Sequence, residues 1–273
     1  MEEDRDRISS LPLELKVEIF SRIPLNHLIS LKRVSKRWHE EINSHEFTKL
    51  HLHHQSLIPS SNGAPHLLLV GHRSSSASFF SFAFSSASNR LVLKKTTLSS
   101  PPHFKTTPHE FVGSCNGLLC FQEKYLGFFW VFNPATGADR VIPPPIQCSH
   151  NAGFGYDCRS DDYKVLSIAP YKGAHIHSMK KGSWKPVFSI DMLRRFICSM
   201  QPCMVIVHNM LYWVTSNEED NSTIVSSFNL STEEYDELAP PDEMLNPTDV
   251  ELVVLNGSLL IINITIMLSL IHI

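Results

Sequence analysis

The chain has 273 residues, 42% of them hydrophobic and 10% aromatic, which is enough apolar material for one ordinary domain plus a small one. Its 24 basic and 27 acidic side chains leave a formal net charge of −3. This balance gives no electrostatic footprint for nucleic acid or an anionic membrane, so it favours a protein partner.

The N-terminal residues and the cysteines indicate a reducing compartment. Residues 1–10 read MEEDRDRISS, which lacks the apolar stretch of a secretory signal, and we expect disorder over residues 1–8. The six cysteines show neither a CxxC pair nor zinc-ligand spacing, so we expect buried thiols rather than disulfides or metal ligands. We therefore predict a cytoplasmic and/or nuclear protein with no cofactor and no metal.

Residues 9–50 are predicted to form a small helical module. Apolar residues recur at steps of four, at Leu11, Leu15, Ile19 and Ile23. Pro12 suits the first helical position, and Pro24 ends the helix because proline cannot continue the hydrogen-bond ladder. A second run predicts another helix or two short ones, with Leu28, Leu31, Val34, Trp38 and Ile42. Such a small unit cannot enclose a core alone, so periodicity favours a structural cap over a docking module.

The same residues resemble the F-box motif, whose pattern is LPxEL…I…RLP…L…RxVxKxW…I. The matches, in order, are Leu11-Pro12, Leu15, Ile19, Arg22-Ile23-Pro24, Leu28, Leu31, Arg33-Val34-Ser35-Lys36, Trp38 and Ile42. F-box proteins dock through this unit on the small adaptor of Skp–cullin–F-box ubiquitin ligases. The resemblance therefore implies a Skp-type adaptor and, through it, a cullin, and it reverses the preference for a cap. The implied adaptor-binding residues, some of which must pack internally, are Leu11, Pro12, Leu15, Ile19, Ile23, Pro24, Leu28, Leu31, Val34 and Trp38.

A change of period after the helices predicts a β domain over residues 51–262. Three histidines near its start suggest a metal, but without a nearby cysteine or carboxylate we interpret them as a solvated junction: His51, His53 and His54. From Leu67 the period approaches two, which predicts strands, and phenylalanines alternate with small residues at Phe80, Phe82 and Phe84. The serine-rich run 74–88 predicts loops at its ends.

An internal repeat of about 47 residues organises this domain. A turn-forming asparagine followed by an apolar strand recurs at separations of 93 and 47 residues, from Asn116, Asn209 and Asn256. A strand, polar turn and strand recur at separations of 45 and 51 residues, around Phe132, His177 and Phe228. Two patterns with one period predict propeller blades, which must stack to bury both faces of each sheet. The alternative is an irregular β-sandwich.

Three features resemble catalytic or ligand motifs, and each has a simpler interpretation. Cys115 lies in a Gly-x-nucleophile-x-Gly sequence, but a strand follows it, so Asn116-Gly117 is predicted to be a hairpin turn. Gly153-Phe154-Gly155 is interpreted as a turn rather than a phosphate loop. Three nearby carboxylates are interpreted as solvated loop residues: Asp157, Asp161 and Asp162. A cysteine-dependent hydrolase using Cys115 stays as an alternative function.

The C-terminal residues have an unusual composition. Residues 252–273 contain no Asp, Glu, Lys or Arg and are long enough to cross a bilayer, yet their polar residues make a poor membrane helix. The first half fits a strand, so we favour a strand over a membrane anchor. Residues 263–273 are an atypical apolar tail.

The β region resembles the F-box-associated, kelch-related domain of plant F-box proteins. The similar segments are CNGLLCF, FNPATGADRVIPPP, GFGYDCRSDDYKVLSI and HIHSMKKGSWKPV. The expected fold is therefore α+β, with a helical F-box followed by a mainly antiparallel, propeller-like domain. In the family further charged strands follow the last repeat, whereas this chain stops, so the resemblance implies a domain that is incomplete at its C-terminus. The resemblance implies a non-catalytic subunit of a ubiquitin ligase that holds an unidentified protein substrate with its β domain. A truncated, non-functional family member is a further alternative.

Overall fold

The computed structural model describes residues 11–51, 67–73, 76–85, 90–94, 109–145, 151–169, 172–188, 197–198, 204–216, 222–238 and 250–263, apart from residues 24, 45, 135 and 256. Outside these residues lie the predicted disorder at 1–8, Pro24, His53, His54, the serine-run positions 86–88 and the tail from 264 onward. The domain boundary predicted near residue 51 adjoins such a gap and stays a prediction. The chain divides into two compact units, which are described separately.

The described part of the first unit contains four short helices, and a proline and a serine cap the starts of two of them. The helices are α1 (Leu13–Ser21), α2 (Leu25–Leu31), α3 (Lys36–Asn43) and α4 (46–51). Pro12 is the N-cap of α1 rather than its first helical residue, with φ −53° and ψ 150°. The chain turns over residues 32–34, so the second apolar run forms two helices. Ser35 caps α3, because its Oγ accepts a 3.2 Å hydrogen bond from the backbone N–H of Trp38.

The helices share a small core of their own. Its buried members are Val17, Phe20, Leu28, Ile42 and Phe47. The Phe20 ring centroid lies 5.1 Å from that of Trp38, which joins α1 to α3. Lys16 is also buried, and its Nζ lies 2.8 Å from Oε1 of Glu41 on α3. The same unit includes a three-stranded sheet in the order β1 (Leu67–Arg73), β2 (Ser76–Ser85), β3 (Arg90–Lys94), as the period change at Leu67 predicts.

The described residues of the second unit form four antiparallel sheets, which we call blades 1 to 4. Blade 1 contains β4 (His109–Cys115), β5 (Leu118–Glu123), β6 (Phe129–Phe132) and β7 (Asp139–Ile142). Blade 2 contains β8 (Asn151–Asp157), β9 (Asp162–Ala169), β10 (Gly173–Ser178) and β11 (Ser183–Phe188). Blade 3 contains β12 (Ile197–Cys198), β13 (Val205–Val207), β14 (Met210–Ser216), β15 (Thr223–Asn229) and β16 (Tyr235–Leu238). Blade 4 contains β17 (Val250–Leu255) and β18 (Ser258–Asn263).

The blades follow one another in a row, with strands of neighbouring blades side by side. Strand β4 lies beside β8, and both β8 and β17 lie beside β13 and β14. A separate apolar layer fills each gap, centred on Phe154 between blades 1 and 2, Leu211 between blades 2 and 3, and Val250 between blades 3 and 4. This arrangement confirms the propeller-like fold, and the described sheets form an open row rather than a closed ring.

The repeat predicted from sequence corresponds to one turn in each of blades 1, 2 and 3. Phe132, His177 and Phe228 each pair with the residue seven positions later. The fifth residue after each of them has a left-handed backbone, with φ 74° at Gly137, 67° at Gly182 and 61° at Glu233. The asparagine pattern also falls on turns, although the counterpart of Asn116 in blade 3 is His208, one residue before Asn209.

Gly153 and Gly155 lie inside strand β8, so their interpretation as a turn is wrong. They bring the backbone of β8 close to blade 3. A Cβ atom at position 155 would lie 2.2 Å from Cδ1 of Ile206 and 2.6 Å from Cδ1 of Leu230. Leu230 is fully buried, so a methyl added at position 155 would force side chains of this packed contact to shift.

We predict that Gly155→Ala lowers the free energy of unfolding by about 1–3 kcal/mol, because the added methyl overpacks the contact between blades 2 and 3. Urea denaturation followed by circular dichroism measures this change. The matched control is Gly113→Ala in β4, where the nearest atom would lie 3.6 Å from the new Cβ. We expect that control to stay within about 0.5 kcal/mol of the wild type. Equal stability of the two variants would contradict the packing argument.

Candidate docking surface and polar cluster

Helix α1 leaves two large apolar side chains in solvent. Leu15 is 49% exposed and Ile19 is 45% exposed, one helical turn apart, while Val17 and Phe20 face the core. Val34, in the turn between α2 and α3, is 64% exposed, and Pro12 is also exposed. Exposed leucine and isoleucine at i and i+4 present one continuous apolar face, which is the kind of surface that docks a partner.

Other residues of the predicted docking set pack inside the module instead. Leu28 is 3% exposed and belongs to the helical core, which corrects its placement on the surface. Three more are half-buried and pack against that core: Ile23, Leu31 and Trp38. Leu11 is half-buried, and Pro24 lies outside the described residues. The sequence motif therefore contains residues that build the module as well as residues that it exposes.

Cys115 lacks the geometry and the charge of a nucleophile. It ends β4, and Asn116-Gly117 forms the tight turn to β5, so the strand-to-helix elbow is absent and the hairpin prediction is confirmed. Burial raises the pKa of Cys115 to about 11, an effect that a backbone hydrogen bond from the Tyr156 residue reduces only in part. The thiol is neutral at pH 7, whereas a catalytic cysteine needs thiolate. Cys120 is buried as predicted, whereas Cys158 is exposed, so the prediction of buried thiols is wrong for Cys158.

The carboxylates near the end of β8 are not solvated, contrary to our prediction. Asp157 and Asp162 are buried, and Asp161 is half-buried. Asp157 Oδ2 accepts hydrogen bonds from Ser160 Oγ, and Asp157 Oδ1 accepts one from Ser231 Oγ of blade 3. Burial alone would raise the pKa of Asp157. The hydrogen bonds from Ser160, Ser231 and Lys164 outweigh burial and hold the pKa of Asp157 well below its usual value. The ionised Asp157 therefore stabilises the fold fully above about pH 4, the pKa of an unfolded aspartate. This stabilisation is lost as the pH falls towards the lowered pKa of the folded state.

Lys164 of β9 joins this cluster to blade 3. Its Nζ lies 2.9 Å from Oδ2 of Asp157 and donates a 2.6 Å hydrogen bond to the backbone oxygen of Leu230. The same Nζ lies 3.4 Å from Oε1 of Glu233, whose Oε2 lies 2.5 Å from Lys185 Nζ. Glu233 is the residue that adopts the left-handed turn conformation where the sister turns have glycine. Its carboxylate thus connects two lysines of blade 2 to the turn of blade 3.

Two sequence models of known families match the chain. One, the F-box domain, matches residues 8–50. The other, the F-box associated beta propeller domain, matches residues 68–262 and so covers most of the chain. The chain therefore belongs to the plant F-box proteins that carry an F-box-associated β-propeller domain.

Individual relatives of this F-box protein come from Arabidopsis thaliana. A putative F-box protein is 27% identical over 238 residues, which is 86% of this chain and 51% of the relative. An F-box/kelch-repeat protein is 24% identical over 249 residues, which is 85% of this chain and 66% of the relative. The chain thus spans about half the length of the first relative. Among solved structures, TolB from Acinetobacter baumannii has a TM-score of 0.41 and 10% identity over 73% of this chain and 49% of TolB, which is too distant to support an argument.

The polar cluster is the part of this F-box protein that sequence reasoning missed. Lys164 sits in an apolar run and Glu233 in a polar turn, 69 positions apart, so no local pattern links them. The repeat offers one signal, because Glu233 occupies the position that holds glycine in the other two turns. Within the described residues there is no cluster of three metal-ligating side chains and no helix long and apolar enough to cross a membrane.

We predict that Lys164→Met destabilises the protein by about 3–5 kcal/mol, because Asp157 is left buried without its cation. The control is Lys185→Met, which removes a 57% exposed partner of the same Glu233 and should cost no more than about 1 kcal/mol. Adding Asp157→Asn to Lys164→Met should recover part of the loss. Urea denaturation measures all three variants, and a Lys164→Met variant as stable as Lys185→Met would refute the role of the cluster.

We also predict that iodoacetamide at pH 7 modifies the exposed Cys158 and leaves Cys115 unmodified, because a thiol with a pKa of about 11 holds almost no thiolate at that pH. Peptide mapping by mass spectrometry of the native protein identifies the labelled residue. The unfolded chain in urea, where both cysteines should react, is the control. Rapid stoichiometric labelling of native Cys115 would revive the hydrolase interpretation.

Proposed function

We propose that this F-box protein is a substrate-recognition subunit of a Skp–cullin–F-box ubiquitin ligase. The helical module would bind the Skp-type adaptor, and through it a cullin, while the β domain would hold the protein to be ubiquitinated. In this role the chain is a non-catalytic subunit, acting in the cytoplasm and/or nucleus. The observation that carries the proposal is a helical module that packs its own core yet leaves Leu15, Ile19 and Val34 in solvent.

Exposed apolar side chains on α1 support the docking part of the proposal. Burying a leucine or isoleucine side chain contributes about 1.5–3 kcal/mol, so Leu15 and Ile19 together can supply a large part of a micromolar affinity. Both lie on a helix that is fixed to α3 through Lys16 and Glu41, so little conformational entropy is lost on binding. Charged side chains of the same helix lie near them: Glu14, Glu18 and Arg22. Arg22 Nη2 lies 2.6 Å from Glu18 Oε1, so this ion pair contributes to a polar rim.

The β domain offers an ordered surface for a target protein. At the β5–β6 turn, Tyr125 and Leu126 are strongly exposed. Their backbone N–H groups donate hydrogen bonds of 3.0 and 2.5 Å to the carboxylate of the buried Glu123, which fixes the turn. Large apolar residues held on a rigid turn are suited to protein recognition. Holding a target beside a ubiquitin-loaded enzyme raises the effective concentration of its lysines towards about millimolar, which requires no chemistry from this chain.

We predict that the double variant Leu15→Ala/Ile19→Ala binds the adaptor at least tenfold more weakly, because about 2–4 kcal/mol of apolar burial is lost. Isothermal titration of purified adaptor into the full chain measures the dissociation constant. Both side chains are exposed, so the variant should remain folded, which circular dichroism checks.

The matched control is Val141→Ala/Leu238→Ala, which truncates two equally exposed apolar side chains on β7 and β16. It should bind the adaptor as the wild type does. Absence of adaptor binding by the folded wild-type chain at micromolar concentration would refute the proposed function. Equal weakening by both double variants would refute the assignment of docking to α1.

A further inference from the structure

The turn between α2 and α3 combines an exposed hydroxyl with a concentration of positive charge. Ser35 is exposed and its backbone is extended, with φ −154° and ψ 161°. Lys32 and Arg33 precede it by three and two positions, and Lys36 and Arg37 follow it. With Ser35, a shallow groove is lined by Lys32, Arg33, Lys36, His39 and Glu40.

We propose that Ser35 is a phosphorylation site for a protein kinase that recognises basic residues on the N-terminal side of its acceptor. We further infer that the phosphate weakens docking of the adaptor, a part that rests on the proposed function. A kinase of this kind has an acidic substrate groove, which basic residues at three and two positions before the serine complement. Arg33 and Lys36 form no ion pair with another described residue, so their charges are available to such a partner.

The transfer itself is an ordinary phosphoryl transfer with a nucleoside triphosphate as the donor. The Ser35 Oγ attacks the γ-phosphorus, a new O–P bond forms, and the bond from that phosphorus to the bridging oxygen breaks. The nucleoside diphosphate leaves, and the hydroxyl proton passes to a base of the kinase. Residues 32–34 form a turn outside both helices, and the backbone of Ser35 is already extended.

The phosphate would act directly on the docking surface. It adds about −1.5 to −2 charges at pH 7, next to Val34, which is among the most exposed apolar side chains of the module. An adaptor that covers Val34 would have to desolvate this dianion, or leave it facing apolar surface. The cations that line the groove would hold the phosphate close to the module.

Two other serines each have only one of the two features that Ser35 combines, which are basic residues before the hydroxyl and an accessible backbone. Ser183 follows Lys180 and Lys181 at the same spacing, but it is paired with Ser178 in the β10–β11 ladder, which keeps its backbone from a kinase groove. Ser30 is exposed on α2 but has no lysine or arginine in the three preceding positions. Basic residues and an accessible backbone coincide at Ser35.

The first test incubates the full chain with the catalytic subunit of cyclic AMP-dependent protein kinase and Mg-ATP, and maps the phosphate by mass spectrometry. We expect phosphate on Ser35 and none on Ser183 or Ser30. Ser35→Ala should remove it, and Arg33→Gln, which keeps the hydroxyl and the helix cap, should slow its addition at least tenfold. Ser183→Ala and Ser30→Ala should change nothing. Phosphate on Ser183 with Ser35 unmodified would overturn the site.

The second test titrates adaptor into the phosphorylated and unphosphorylated chains. We expect the phosphorylated chain to bind at least tenfold more weakly, and treatment with a phosphatase should restore the affinity. Equal affinities would overturn the effect on docking. If neither form binds the adaptor, the proposed function fails, while the mapping of the first test still decides the modification site.

Discussion

The close approach of strand β8 to blade 3 is the contact on which the β unit depends. Gly153 and Gly155 remove the side chains that would hold the two sheets apart, so methyl groups of Leu211 and Leu230 reach the strand itself. At the end of the same strand, Asp157 forms an ion pair with Lys164 and accepts a hydrogen bond from Ser231. Strand β8 thus supplies the apolar contact with blade 3 and also the carboxylate that binds Ser231 of blade 3. The buried Lys164 of β9 pairs with that carboxylate and extends the link, because it also donates to the backbone oxygen of Leu230.

Stacking buries both faces of the blades, and this explains which parts of the fold were predictable. The turns have strict backbone requirements, met by glycine and asparagine, so their recurrence identified the repeat and the propeller from sequence. Strand β9 is buried at every position except the half-buried Tyr163, so its two faces do not differ in burial. The glycines of β8 were misread as a turn because glycine has two uses, and only the neighbouring blade shows that close approach is the one used here.

In the helical module, too, features set by neighbouring residues were predictable, whereas features set by packing between helices were not. Periodicity and the two prolines predicted the helices, because these depend on neighbouring residues. They did not separate Leu28, which packs in the core, from Leu15 and Ile19, which remain in solvent, because that depends on how α1, α2 and α3 pack together. A short unit with few core positions must expose some of its apolar residues, so a docking surface is a natural consequence of its size.

The account assigns docking of the adaptor to the helices and leaves the blades free for a target protein. Hydrogen–deuterium exchange of the full chain, measured with and without purified adaptor, tests this division most directly. The account predicts slower exchange in peptides from residues 11–51, strongest in α1, and unchanged exchange in peptides from blades 1 to 4. Slower exchange in the blades with none in the helices would contradict it.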